Sequence, residues 1–246
     1  INCIHRRLML GLGTDITSSS YVSMDLKDAT TDLELWLKNN TGVTVSKWND
    51  SSGNNNHATQ STEANQAAVS GGGLDFEEGE SDHYDLTSDI TIAQNGGFCL
   101  AFVVHMETVS NNTLFSKSGN EQVKIVNGTE FFFKADDDTT TSTVFVFESG
   151  TFDTSKALFL LNRSAGATNR FTFFKNGIQL TPDGDSSSNE AAGENPFGFD
   201  INVLGSLQGS GSFFDGKILE VAFWSKGLSL QEITDVNDYL KSVHGL

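Results

Sequence analysis

Carboxylates come closest to forming a catalytic set in this chain. Glu77, Glu78 and Glu80 fall within one glycine-containing segment, and Glu220 is the only carboxylate in the apolar run 216–224. General acid–base catalysis needs carboxylates held at fixed positions around the reacting bond. A turn does not hold them in that way, and Glu220 has no second carboxylate on its run. We therefore interpret Glu220 as structural.

Other catalytic and cofactor motifs are also missing from the sequence. The five histidines form no His-x-x-x-His pair, and there is no Cys-x-x-Cys, so zinc ligation and dithiol chemistry lack their usual spacing. A Gly-x-Ser-x-Gly elbow and a phosphate-binding loop are absent as well. The sequence predicts a protein that is not an enzyme.

Calcium is the one cofactor for which the sequence offers ligands. Hard cations bind clustered carboxylate and carbonyl oxygens, and acidic residues cluster in two turn-like segments. The candidate ligands are Asp136, Asp138, Asp183 and Asp185, with Asp50 and Asn54 to Asn56 as a further group. None of these segments matches an EF-hand loop, and the alternative for each is a solvated turn.

A glycan site needs an aromatic platform beside planar polar side chains that bond sugar hydroxyls. Two short segments supply this combination, and the candidate residues are Trp48, Asn49, Asp50, His83 and Tyr84. The alternative is that Trp48, like Trp36 and Trp224, fills the core.

The charge balance excludes some classes of partner. The 246 residues include 32 acidic and 15 basic side chains, so the formal net charge is -17. Nucleic acids and anionic membranes attract basic surfaces, so we expect neither partner. No apolar run approaches the length of a transmembrane helix. The acidity has three open explanations, namely solubility, cation binding or life in salty surroundings.

Short apolar runs separated by Gly, Asn, Ser and Thr predict a chain of strands and turns, about a dozen strands in all. Leu33–Leu37 alternates, Phe98–Met106 is the most apolar run and predicts a central strand, and Asn176-Gly177 predicts a type I′ hairpin turn. We count one domain over residues 31–246, preceded by an N-terminal arm over residues 1–30.

The spacing of apolar residues changes in the last part of the chain, from that of a strand to that of a helix. Gly216–Trp224 reads as a strand buried on most of its surface. Ser229 and Glu232 then have the spacing of a capping box, which predicts a helix start. A helical face follows, made of Ile233, Val236, Leu240 and Val243.

Four segments together resemble the concanavalin A-like lectin/glucanase superfamily, in its laminin-G-like branch. They are LELWLKNNTGVTVSKWNDSSGNNNHATQ (33–60), GGGLDFEEGESDHYDL (71–86), FFKNGIQL (173–180) and FFDGKILEVAFWSKGLSLQEITDVNDYL (213–240). In order, they are similar to the opening strand with its Trp-x-Asp turn, the next hairpin, the Asn-Gly hairpin, and the closing strand with its helix. The resemblance covers about residues 31–246.

The resemblance implies an all-β fold, an antiparallel two-sheet jelly-roll sandwich with one short C-terminal helix, here with an extended N-terminal arm. In this superfamily the concave sheet and edge loops often bind glycans, and many members hold calcium. The glucanase members carry catalytic carboxylates spaced Glu-x-Asp-x-x-Glu or Glu-x-Asp-x-Glu, and neither spacing occurs here. Small members with an arm also resemble virion surface proteins of tailed phages, to which residues 9–23 are similar.

Two functions are therefore expected. The first is a non-enzymatic virion structural protein, a capsid decoration or tail-associated protein at the virion surface. It would be present in many copies, dock on other virion proteins through the arm, and could adhere to host-surface glycans. The alternative is an extracellular carbohydrate-binding, lectin-like module of a secreted or cell-surface protein.

Overall fold

The apolar runs of the sequence form strands, and the strands form two antiparallel sheets. The computed structural model describes residues 25–135, 142–166, 171–183 and 197–246. In chain order these residues contain α1 (Leu26–Ala29), β1 (Leu33–Leu37), β2 (Val43–Thr44), β3 (Lys47–Trp48), β4 (Ala58–Thr59), β5 (Ala68–Ser70), β6 (Gly73–Phe76), β7 (Tyr84–Ile92), β8 (Phe98–Met106), β9 (Asn112–Ser118), β10 (Glu121–Ile125), β11 (Glu130–Lys134), β12 (Ser142–Val146), β13 (Ala157–Arg163), β14 (Phe171–Lys175), β15 (Ile178–Leu180), β16 (Phe199–Leu204), β17 (Gly216–Trp224) and α2 (Leu230–His244).

The first sheet, sheet A, has the order β15-β14-β13-β8-β17-β6-β5, and β1 also pairs with β17. Strand β17 pairs with β8 along one edge. Its other edge is divided, because Gly216 to Ile218 pair with β6 and Val221 to Trp224 pair with β1. The two apolar runs that the sequence analysis singled out as buried strands are therefore neighbours at the centre of this sheet.

The second sheet, sheet B, has the order β12-β11-β10-β9-β16-β7-β4-β3-β2. The two sheets pack face to face around one apolar core that both of them line. This is the antiparallel two-sheet sandwich expected from the sequence, and it is consistent with a jelly roll. In the part of the chain that the structure describes, no helix is long and apolar enough to cross a membrane.

Phenylalanine fills much of the core between the sheets. Phe98, Phe133 and Phe199 form a triangle with ring centroids 4.9 to 5.4 Å apart. The guanidinium of Arg163 lies over the same rings, 4.9 Å from the Phe98 centroid, and donates to the carbonyls of Gly96 and Phe197 at 2.7 to 3.0 Å. Burial lowers the pKa of Arg163 to about 10, so the side chain stays charged at neutral pH.

Helix α2 covers the outer face of sheet A. Ser229 caps it through the predicted capping box with Glu232. Ile233, Val236 and Leu240 pack onto the sheet as predicted, whereas Val243 is 45 % exposed. The prediction for Val243 was wrong because Tyr239 and His244 are the buried residues on that side of the last turns.

A buried carboxylate fixes α2 to the sheet. Glu220 of β17 is 1 % exposed, and its Oε1 accepts a hydrogen bond of 2.7 Å from Trp36 Nε1. Its Oε2 lies 2.7 Å from His244 Nε2. These two atoms share a buried hydrogen bond. The helix end is held from a third side by Lys156, which donates to the His244 carbonyl. Glu220 is structural, as the sequence analysis interpreted it.

Two other local predictions have different outcomes. Asn176 and Gly177 have φ angles of 51° and 82° and join β14 to β15, which confirms the predicted type I′ hairpin. The alternation of Leu33–Leu37 is interrupted by a register shift between Leu33 and Leu35. Leu33 therefore packs under the helices, while Leu35 and Leu37 enter the core between the sheets.

Residues 25–30 of the predicted arm pack on the domain. They form α1 and the residue after it. Leu26 is fully buried beside α2, and Thr30 Oγ1 accepts a hydrogen bond of 2.5 Å from Trp224 Nε1. Residues 1–24 of the arm lie outside the described residues.

We expect Glu220→Gln to lower the free energy of unfolding by about 1–3 kcal/mol, the cost of leaving a buried hydrogen-bonding group badly paired. The Gln amide keeps an acceptor for Trp36, but its N–H₂ can bond His244 only when the imidazole carries its proton on Nδ1, and the hydrogen bond then joins two neutral groups. Urea denaturation measures the change as a lower midpoint with an unchanged slope. Glu148→Gln, at an exposed position, is the control and should leave the midpoint unchanged. Equal midpoints for the two variants would contradict the role of Glu220.

Candidate functional site

The first predicted glycan-binding segment is part of the scaffold. Trp48 is fully buried and donates through Nε1 to the Lys38 carbonyl at 3.1 Å. The Asp50 carboxylate accepts hydrogen bonds from the backbone N–H groups of Trp36, Ser52 and Asn56 at 2.8 to 3.0 Å. It therefore organises the turn after β3 and ties that turn to β1.

The second segment lies at the start of β7. Tyr84 is fully buried, and its hydroxyl donates to the Val45 carbonyl at 2.6 Å. His83 is half-buried and packs against Phe213. The structure thus brings Tyr84 to the β2–β3 hairpin, beside the segment of Trp48, but covers both rings. A sugar platform in this domain has to come from other aromatic side chains.

The predicted calcium ligands lie at the edge of what the structure describes. Asp183 is exposed, and its backbone N–H donates to the Val146 carbonyl at 2.7 Å. Asp136, Asp138 and Asp185 lie outside the described residues.

A different set of carboxylates meets on the side of sheet A. Asp75 in β6, Glu77 just after it, and Glu107 just after β8 place one ligand atom each within 4.8 Å of one another. The set forms because β17 lies between β6 and β8. No sequence motif marks it, because Glu107 is distant from the other two residues along the chain.

The electrostatics of this acidic cluster favour a cation. Burial and then the charges of Glu107 and Asp75 raise the pKa of Glu77, which shows mutual repulsion of the carboxylates. One oxygen of Asp75, Oδ1, is buried without a hydrogen-bond partner among the described residues, while Oδ2 lies 3.4 Å from Lys217 Nζ. Oxygen ligands with an excess of negative charge fit a hard divalent ion such as calcium.

The outer face of sheet B differs from that of sheet A in its side chains and in the absence of a covering helix among the described residues. Val123 and Ile125 of β10 enter the core between the sheets, so Gln122 and Lys124 lie on the opposite face. Phe132 of β11 is on that face for the same reason. None of the described helices packs on it, in contrast to the outer face of sheet A. We call this surface the open face.

Strand register places the side chains of the open face in rows. One row, the Lys124 row, contains Val144, Phe132, Lys124 and Thr113 on four adjacent strands. Residues directly opposite on antiparallel strands have Cβ atoms about 4.5–5.5 Å apart. Phe132 and Lys124 are therefore neighbours on this face, and Lys124 Nζ lies 5.0 Å from the Phe132 ring centroid. Thr113, at the end of the row, is fully buried.

A polar trio lies further along the same face. Asp89 of β7 accepts a hydrogen bond of 2.7 Å from Lys117 Nζ through Oδ2 and one of 3.0 Å from Asn202 Nδ2 through Oδ1. The hydrogen bond to Asp89 raises the pKa of Lys117. The side chains of Asp89 and Lys117 are 42 % and 32 % exposed. They are thus oriented by one another while still reachable from solvent.

Comparison with known proteins identifies the family. A laminin G family model, described as the concanavalin A-like lectin/glucanases superfamily, matches residues 78–234. The chain belongs to this superfamily. The match spans strands of both sheets and the start of α2, so it includes the open face.

Solved structures share the fold at low sequence identity. The binding domain of Paraclostridial Mosquitocidal Protein 1 is 13% identical, with a TM-score of 0.61 over 88% of this chain and 53% of that chain. Trypanosoma rangeli sialidase in complex with sialic acid is 15% identical, with a TM-score of 0.53 over 87% of this chain and 33% of that chain. The chain thus spans about half of the first protein and a third of the second. No curated protein sequence matches it.

We expect calcium to raise the melting temperature of the wild-type protein and a chelator to lower it. At a calcium concentration of about 100 Kd, binding to the folded state adds about 2.7 kcal/mol of stability. Asp75→Asn should abolish most of this shift, because it removes a charged ligand of the acidic cluster.

Asp183→Asn is the matched control, since it tests the site predicted from the sequence. Loss of the shift in Asp183→Asn with retention in Asp75→Asn would assign calcium to the segment around Asp183. An unchanged melting temperature in calcium and in chelator would contradict calcium binding at either place.

Proposed function

We propose that this domain is a carbohydrate-binding module whose glycan lies on the open face. The observation that carries the proposal is the pairing, on a sheet face that no described helix covers, of a half-buried aromatic ring, Phe132, with the oriented polar trio of Asp89, Lys117 and Asn202. An aromatic ring packs against the apolar face of a sugar, while the polar side chains bond its hydroxyls.

The dimensions of the face suit an oligosaccharide. Phe132 and Asp89 are on β11 and β7, which are separated by β10, β9 and β16. With about 4.8 Å between neighbouring strands, the two positions are about 19 Å apart across the sheet. A ligand that contacts both must therefore contain several sugar units.

The trio is suited to hydroxyl groups because it offers both donors and acceptors. A carboxylate accepts, an ammonium donates, and an amide does both. Mutual hydrogen bonds hold the three side chains before a ligand arrives, which reduces the entropy lost on binding.

Family membership supports the same function. The superfamily name includes lectins, and one protein of the same fold is described as the binding domain of Paraclostridial Mosquitocidal Protein 1. We propose that the module binds without hydrolysis, because on the open face the carboxylate of Asp89 is already held by Lys117 and Asn202. A hydrolase would release reducing ends from a bound polysaccharide, and we expect none.

The virion-surface role expected from the sequence is our second proposal. The observation that favours it is the position of α1, which packs beside α2 on the outer side of sheet A. The chain therefore enters the domain on the side opposite the open face. A segment 1–24 that docks on other virion proteins would leave the open face directed outward, toward host-surface glycans. The alternative location is extracellular, in a secreted or cell-surface protein.

We expect a glycan array to reveal at least one ligand, and both Phe132→Ala and Asp89→Ala to weaken its binding by tenfold or more. A tenfold change corresponds to about 1.4 kcal/mol. Calorimetric titration measures the affinities, and an unchanged melting temperature shows that the variants remain folded.

Ile178→Ala removes an apolar side chain that is 70 % exposed on β15 of sheet A, and it should bind like the wild type. Wild-type affinity in both Phe132→Ala and Asp89→Ala would exclude the open face as the site. An array with no ligand would exclude the function. Deletion of residues 1–24 tests the second proposal, since a truncated protein that still joins virions would contradict docking through that segment.

A further inference from the structure

Lys124 is a half-buried lysine of the open face that has no charged partner among the described residues. In the described residues, five lysines form ion pairs with carboxylates, namely Lys38, Lys117, Lys175, Lys217 and Lys226. Lys134, on the open face like Lys124, donates to Asn120 Oδ1 at 2.9 Å. The ammonium of Lys124, like those of Lys27, Lys47 and Lys241, has neither an ion pair nor a hydrogen-bond partner among the described residues. Of these four, Lys124 is the one that lies over an aromatic ring, that of Phe132.

Because Lys124 is half-buried, the lack of a partner for its ammonium is energetically unfavourable. The side chain is half-buried, and burial lowers the pKa of Lys124 without any compensating carboxylate. A partly desolvated charge loses hydration energy that only an opposite charge or a hydrogen bond restores. The ring of Phe132, 5.0 Å away, returns a part of it through a cation–π contact, which is worth about 0.5–1 kcal/mol at an exposed site.

The residues around Lys124 define the shape of what could pair with it. Phe132 and Thr113 flank it directly in the Lys124 row. Thr113 is fully buried, so of the two neighbours only the half-buried ring of Phe132 can contact a ligand. The row thus offers an apolar ring and a cation on two adjacent strands.

We infer that Lys124 binds the carboxylate of an acidic sugar whose ring packs on Phe132. This inference rests on the proposed function, because it names the class of glycan that the open face selects. A carboxylate attached to a pyranose lies at the edge of the ring, so a sugar stacked on Phe132 can direct it to the neighbouring ammonium. A neutral sugar would leave the ammonium unpaired, and specificity follows from that difference.

The experiment compares acidic glycans with neutral glycans of the same length. The probes are oligogalacturonate against oligogalactose and sialyllactose against the neutral trisaccharide fucosyllactose, with dextran sulfate against dextran to separate carboxylate from sulfate. We expect the wild type to bind a carboxylate-bearing member at least tenfold more tightly than its neutral match. Lys124→Gln should remove this preference while leaving the neutral glycan's affinity unchanged.

Two further variants make the result specific. Lys124→Arg keeps the charge and should retain the preference, which also shows that Lys124→Gln does not act through misfolding. Lys27→Gln removes an exposed charge on α1 and should retain the preference as well. Raising the salt concentration should weaken wild-type binding of the acidic glycan more than that of Lys124→Gln.

The outcomes distinguish this inference from the proposed function. If neutral glycans bind the open face as tightly as acidic ones, or if Lys124→Gln keeps the preference, the inference is overturned while carbohydrate binding stands. If dextran sulfate is the only acidic probe bound, the carboxylate assignment is overturned. If no glycan binds at all, the proposed function fails, and this inference fails with it.

Discussion

Burial of β17 on both faces is the constraint on which the rest of the structure depends. Val221 and Phe223 enter the core between the sheets, while Ala222 and Trp224 pack under the helices. A strand without a polar face can only exist with a layer on each side, so sheet B and α2 are both required. Any charge on such a strand must be satisfied inside the protein, which explains why Glu220 bonds Trp36 and His244.

This constraint makes the two outer faces of the sandwich chemically different. Helix α2 covers the outer face of sheet A, where it buries Trp36, Trp224 and their apolar neighbours. Strands of sheet B instead alternate between apolar residues and half-buried or exposed polar ones, as in the pattern of β7. Such a sheet needs no second cover, so its outer face is available for a ligand. Of the two outer faces, the fold thus leaves that of sheet B for a ligand.

Charged side chains are also distributed unevenly over the surface. The formal net charge of -17 describes the molecule at long range, but short-range pairing decides the chemistry of each surface. Five lysines are each neutralised by a neighbouring carboxylate. The acidic cluster of Asp75, Glu77 and Glu107 instead concentrates negative charge at one place. On the open face Lys117 pairs with Asp89, whereas Lys124 has no carboxylate partner among the described residues. Net charge alone would therefore be a poor guide to the ligand of this face.

Local patterns were sufficient for the elements of the fold. The capping box at Ser229, the Asn-Gly turn and the apolar run of β17 are each stabilised by interactions within a few residues, so the sequence shows them directly. The superfamily resemblance then supplied the sandwich. Burial of single residues was less predictable: Leu33 and Val243 were misplaced because a register shift and the final turns of α2 depend on what they pack against.

The candidate sites depended on tertiary structure. Trp48 and Tyr84 have the composition of a glycan site, but the packing of the sheets buries them. Asp75 meets Glu107, and Lys124 lies between Phe132 and Thr113, only because particular strands become neighbours in a particular register. Strand order is decided by which combination of distant segments buries the most apolar surface, and a local pattern carries no information about that choice.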